Sequence, residues 1–424
     1  MGTDVTVGEK RHQSLNQPKF VEKWRDALVH QPADRRPERA RLASDRRSAP
    51  HVLVVDHRVP MPDRDSGSLR MWHLLEGLLE LGCAVTFLPD DREPHEPYAS
   101  QLQGMGIEVL YGSVWVPQHL AALSPRLQLC ILSRPYVAAR YVHMVREHAP
   151  RALLAYDTVD LHFLRESRRA LRAGGDSRLA DTFRPLELAL AQLSDVTLAV
   201  SEDERERLRE LVPEATVEVM PNANRIARDV PGPEERHGLV FIGSFEHTPN
   251  VDAALLLARE VMPRVWQEID DMKLTIVGGD APEEVEDLDA PRIDVAGWVK
   301  DIGPLLHGSL AMAAPLSYGA GMKGKVTQSL AAGLPVITTT VGSEGLDVED
   351  GCELLIADDP EEFAKRVVRL SRDPDLWRSL SANGQALVEG VCSPAVQLNA
   401  LRALLEMSEA RQGVASLASS GGRP

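Results

Sequence analysis

"YGAGMKGKVTQSLAAGLPVITT", residues 318–339, changes texture three times. A glycine-rich loop carries Lys323 and Lys325, a short helical pattern stops at Gly333, and Val336-Ile337-Thr338-Thr339 is β-branched and reads as a strand. Loop, helix, strand is the repeating unit of a parallel α/β sheet. The loop also raises a chemical question. Two cations at the positive end of a helix are unfavourable, by a few tenths to about 1 kcal/mol each. A bound diphosphate, shared by the lysines and the free N–H groups of the first turn, accounts for the arrangement. Gln328 falls one turn after Gly324 and faces the same mouth, where it can hydrogen-bond hydroxyls without adding negative charge.

The same texture extends outward. "HVLVVD" at 51–56, "AVTFLPD", "GIEVLYG", "LQLCILS", "RALLAYDTVD" and "DVTLAVS" are apolar runs separated by helical stretches. A polar, proline-containing segment, 225–238, interrupts them. The pattern then restarts with "LVFIGS", a long helical stretch "NVDAALLLAREVMPRVWQEI", "KLTIVGG", "IDVAGWV", "LAMAAPL" and, after the opening stretch, "ELLIADD". The expectation is two doubly wound, Rossmann-like parallel-sheet domains facing a cleft, with ligand at the strand C-termini of both. Boundaries fall at 1–49 (a flexible basic extension, helical only over 20–28), 50–230, 231–395, a C-terminal helix 396–411, and a disordered tail 412–424.

Composition narrows the function. A chain of 424 residues with a net charge of −16 is a poor nucleic-acid binder, and none is expected as a partner. Its four cysteines follow no CxxC or metal spacing and read as free thiols of a reducing cytosol. There is no apolar run of 18 residues and no apolar h-region near the N-terminus, so neither a transmembrane segment nor a secretory signal is expected. The predicted location is the cytoplasm, with peripheral attachment to the inner membrane as its variant.

Other loops hold candidates. Gly67-Ser68, at the mouth of the helix after "DHRVPMPDRD", can offer N–H groups to an anion. Asp63-Arg64-Asp65 spells a DxD but reads as a solvated loop that helps cap that helix. "YDTVDLH" sets Asp157, Asp160 and His162 at a strand end, either as an acid/base group or as a structural cluster. His247 in "SFEHTPN" is a cap neighbour or an active-site group. Asn222 and Asn224 follow a strand just before the domain boundary.

Taken together, "PDRDSGS", "DTVDLH", "PNA", "GWVKD" and the 318–339 stretch resemble GT-B glycosyltransferases of the family-4 type, over roughly residues 50–405. The similarity is greatest to a bacterial subgroup often found as a module of multidomain sugar transferases. The resemblance implies a metal-independent, hexosyltransferase-type enzyme with no cofactor. A UDP- or GDP-linked sugar would be held mainly by the C-terminal domain, and a hydroxyl acceptor (glycan, lipid, small metabolite or protein) mainly by the N-terminal one. It implies catalytic positions at His162, Lys325, Gly67 and Ser68. Donor contacts are implied at Lys323, Gly321, Gln328, Val299, Gly243, Ser244, Asn222 and Glu344. One departure stands out. Where many relatives carry two Glu residues eight positions apart, this chain has Gln328, and counting back gives Ala320. The implied reaction retains anomeric configuration. The alternatives are a non-catalytic GT-B subunit that activates a partner and a GT-B nucleotide-sugar epimerase.

Overall fold

The computed structural model describes residues 9–25, 49–173, 177–319 and 321–420. Most of the expected N-terminal extension, Ala320 and residues 421–424 lie outside them. The chain builds two sheets whose ladder pairings are parallel, of seven and six strands. The first runs β3-β2-β1-β4-β5-β6-β7, from β1 (His51–Asp56), β2 (Ala84–Pro89), β3 (Glu108–Val109), β4 (Leu127–Ser133), β5 (Leu153–Asp157), β6 (Val196–Ala199) and β7 (Val217–Val219). The second runs β10-β9-β8-β11-β12-β13, from β8 (Leu239–Ile242), β9 (Leu274–Val277), β10 (Ile293–Gly297), β11 (Ala311–Ala314), β12 (Val336–Thr338) and β13 (Leu355–Ile356). Strands β1 and β2 are buried along their whole length. Helices cover both faces of such sheets, so no polar alternation is needed. This is the expected pair of Rossmann-like domains.

The edges depart from the sequence expectation. Strand β7, the strand expected ahead of Asn222 and Asn224, has only three residues and forms one edge, and β3 and β13 pair over only two residues each. The helix predicted over 250–269 is Thr248–Leu256, a π turn at Leu257–Val261, and Met262–Val265. Pro263 lacks the N–H that would continue the ladder, and the wider turn before it absorbs the fault.

The C-terminal helix has a role the pattern did not reveal. Helix Pro374–Cys392 buries Trp377, Leu380 and Val388 in the C-terminal core. The next helix, Pro394–Ser420, crosses back and buries Leu401, Leu404 and Leu405 with Leu74, Leu75 and Leu78 of the N-terminal domain. It runs on to Ser420, past the residue 411 expected as its end. The two crossings are tied together: Asn224 donates its N–H to the Cys392 carbonyl at 2.8 Å. At the other end of the chain, Glu9–Lys23 is helical, where the sequence predicts flexibility up to residue 20. Phe20, Val21 and Trp24 lie exposed there. No helix among the described residues is long and apolar enough to cross a membrane.

Candidate active site

Strand order reverses between β1 and β4 in one sheet and between β8 and β11 in the other. The loops after these four strands face each other, and a cavity of about 510 Å³ lies between them, lined by both domains.

The opening stretch forms the C-terminal wall. Helix Gly324–Ala331 begins at Lys323, which occupies the N-cap position without a side-chain cap bond. Lys325 sits in the first turn. Its ammonium donates to Asn250 Oδ1 and lies 4.6 Å from the centroid of the Phe241 ring. Gly243 makes room for it: a Cβ there would come within 2.7 Å of Lys325 Nζ. Burial, and then the neighbouring Lys323, push the Lys325 ammonium down to about 7. Lys323 donates to the Gly321 carbonyl at 2.6 Å and lies 3.7 Å from Glu344; burial lowers its pKa too, against the pull of Glu344. Gln328, Ser244 and Val299 line the same cavity, as does His247, whose pKa is lowered by burial.

The N-terminal wall differs from expectation at two positions, Ser68 and His162. Asp65 caps helix Ser66–Glu80, taking the Ser68 N–H at 2.8 Å and the Ser68 hydroxyl at 2.7 Å. Ser68 is therefore turned into the fold, and Asp65, Ser66 and Gly67 line the cavity. The capping role predicted for the DRD loop is the one observed. His162 does not line the cavity either. Its ring is buried beside Tyr136 and Phe183, with Nδ1 2.9 Å from Asp160 Oδ1. It is Asp160 that reaches the cleft. Burial alone would raise that carboxyl, but Arg165, at 2.6 Å, and His162 outweigh it and hold it well below the usual range. Asp157 is wholly buried in a two-pronged pair with Arg70, at 2.8 Å for each bond, so it is structural. Asn222 lines the cavity, whereas Asn224 donates to Thr327 Oγ1 at 3.0 Å inside the core. Glu344 and Gly321 lie outside the cavity lining, at the seam between domains.

Two further cleft residues, Arg134 and Trp298, are not singled out by the sequence, although Trp298 lies within the GWVKD motif. Arg134 follows β4 with φ 72, a strained value for a residue with a Cβ, and Asp56 holds its Nε at 2.8 Å. Burial would raise the Asp56 carboxyl, yet Arg134 and His57 bring it down to about 2. Trp298 reaches across the cleft: its indole donates to the Asp63 carbonyl at 2.9 Å, and the Arg64 guanidinium stacks 4.2 Å from its ring. Among the described residues, no cluster of three or more His, Cys, Asp or Glu is placed to hold a metal ion.

Residues 236–373 match the family model described as glycosyl transferases group 1. Among solved structures, the fold is similar to sucrose-phosphate synthase from Thermosynechococcus elongatus (TM-score 0.64, 15% identity, 85% of this chain and 99% of that one). It is also similar to Anabaena HepE crystallised with UDP and glucose (TM-score 0.63, 14% identity, 84% and 99%). A 44.6 kDa protein of unknown function from the cps region of Klebsiella pneumoniae is 25% identical over 160 residues, 36% of this chain and 41% of that protein. The match thus spans less than half the length of that relative. The chain has the GT-B fold expected from its motifs, and residues 236–373 of it match the glycosyl transferases group 1 model.

Proposed function

We propose that the protein transfers a sugar from a nucleoside-diphosphate donor to an acceptor hydroxyl, with retention at the anomeric carbon. The observation that carries this reading is the Lys323–Lys325 helix mouth, a cationic, side-chain-uncapped N-terminus opening into an interdomain cleft. The donor's C1–phosphate bond breaks, and the departing diphosphate takes the electron pair. Lys325 and the first-turn N–H groups stabilise that charge as it develops. The acceptor hydroxyl adds to the oxocarbenium-like carbon from the same face and gives its proton to the leaving phosphate oxygen. Asp160, held ionised by Arg165 and positioned by His162, faces the positive charge growing on the sugar. The Trp298–Val299 loop is the candidate nucleobase wall. That HepE was crystallised with UDP and with UDP-glucose supports a UDP-linked donor. The lysines supply the countercharge that a metal would otherwise provide, so the reaction should run without one.

The test is a panel of UDP- and GDP-sugars, scored by thermal shift and by donor consumption in excess EDTA. A donor that raises Tm and is turned over in EDTA supports the reading. Binding without turnover points to the partner-activating subunit. Interconversion of one sugar nucleotide into another, with no nucleoside diphosphate released, points to an epimerase.

A further inference from the structure

The motif resemblance places Glu344 against the donor, yet the other domain engages it. Arg168, on helix His162–Ala173 of the N-terminal domain, sends Nη1 to Glu344 Oε2 at 2.6 Å and to the Gly319 carbonyl at 2.6 Å. Both acceptors belong to the C-terminal domain. The same Glu344 oxygen is 3.7 Å from Lys323 Nζ. One carboxylate thus lies between two cations, one from each domain.

The loop they hold has little shape of its own. Gly319 and Gly321 have φ values of 149 and 66, open to glycine but strained for other residues. The Gly319 carbonyl is held by Arg168 and the Gly321 carbonyl by Lys323. A Cβ on Gly321 would meet Val200, Glu204 and Asp160 at 3.2–3.4 Å, all in the N-terminal domain. The loop that presents Lys323 is therefore shaped against the opposite domain.

We infer that Arg168 is a positioning residue for the donor site: by holding Glu344 and the Gly319 carbonyl across the seam, it sets the loop and keeps the Lys323 ammonium, which is anchored on the Gly321 carbonyl, from being drawn onto Glu344, so that its remaining N–H groups can meet the donor diphosphate. This rests on the transferase reading above. Without Arg168, Lys323 is the one ion-pair partner left to Glu344 among the described residues, and an ammonium drawn onto that carboxylate is lost to the ligand. Without Glu344, Arg168 and Lys323 face each other as like charges. Arg168 and Glu344 are each a little over a quarter exposed, so solvent softens both effects without removing them.

The experiment compares wild type, Arg168→Ala, Arg168→Lys, Glu344→Gln and Arg168→Ala/Glu344→Gln, each with the UDP- and GDP-sugars of the panel and with free UDP and GDP. Misplacing a group by about 1 Å can cost about a hundredfold in rate. Arg168→Ala is expected to lower kcat by roughly ten- to a hundredfold and to raise donor KM, with Tm close to wild type. Arg168→Lys should recover part of the loss. The double variant should be no worse than Arg168→Ala, because the neutral amide introduced by Glu344→Gln does not capture Lys323; such non-additivity marks coupled groups. Unchanged kinetics in Arg168→Ala, or losses that multiply in the double variant, would overturn the inference while the transferase reading stands. A wild type that neither binds the nucleoside diphosphate nor consumes any sugar nucleotide overturns both.

Discussion

The two helix mouths that meet in the cleft look alike in sequence and are built in opposite ways. At Ser66–Glu80 the N-cap is Asp65, whose carboxylate takes the Ser68 N–H and hydroxyl. At Gly324–Ala331 the N-cap position is Lys323, a cation whose side chain has no acceptor to offer the first turn, so that only its backbone carbonyl takes N–H groups there. A carboxylate cap stabilises a helix by about 1 kcal/mol. A cation there costs a few tenths to about 1 kcal/mol. The first mouth is closed by its own chain, and the second presents positive charge and N–H groups to whatever enters. They also touch: a Cβ on Gly324 would sit 2.5 Å from Ser66 Cβ. A glycine loop before a helix is thus not enough to mark an anion site, and the cap residue separates the two cases.

The comparison breaks first at Lys325. Lys325→Ala should lower kcat by about 10²–10³, the effect of removing one donor aimed at developing charge. Folding should not suffer, because burial and Lys323 already disfavour the charged form. Near-normal turnover, or activity lost only through a fall in Tm, would contradict the assignment. The opposite mouth should respond the other way. Asp65→Ala should lower unfolding free energy by about 0.5–2 kcal/mol in a denaturant titration, with nucleoside-diphosphate affinity little changed. If stability holds and diphosphate binding collapses instead, the N-terminal mouth is a ligand site and the contrast is wrong.

Much of this architecture can be read directly from residues. Runs such as "LVFI" are apolar on both faces, which in water leaves few options but an inner parallel strand. The cationic loop is equally legible, because two lysines at a helix start are locally unfavourable and call for a partner. What is lost is direction and long-range pairing. The motif "DTVDLH" marks a functional strand end, but whether His162 or Asp160 turns to the cleft depends on the aromatic rings of Tyr136 and Phe183, far away in the chain. The choice between Ser66 and Ser68 is one of helical phase, settled by the Asp65 cap. Glu344 and Arg168 are 176 positions apart, and nothing local pairs them. Likewise, Leu401, Leu404 and Leu405 fit the buried face of a helix, but nothing near them in sequence says that the partner is the N-terminal domain.

The central claim is that Lys325 binds the donor's diphosphate, and its depressed pKa allows a direct measurement. Burial, and then Lys323, bring the Lys325 pKa down from the 10.5 of an ordinary lysine to about 7, so the ammonium is disfavoured as pH rises above that value. A bound diphosphate favours the ammonium and raises its pKa, so binding must draw a proton from solution and weaken as pH rises further. The ligand's own phosphate, with a second pKa of about 6, contributes little there. Calorimetric titration of the nucleoside diphosphate at pH 8, in buffers of different ionisation enthalpy, should show uptake approaching about one proton, abolished in Lys325→Met. No uptake in the wild type, or the same uptake in the variant, would contradict the account.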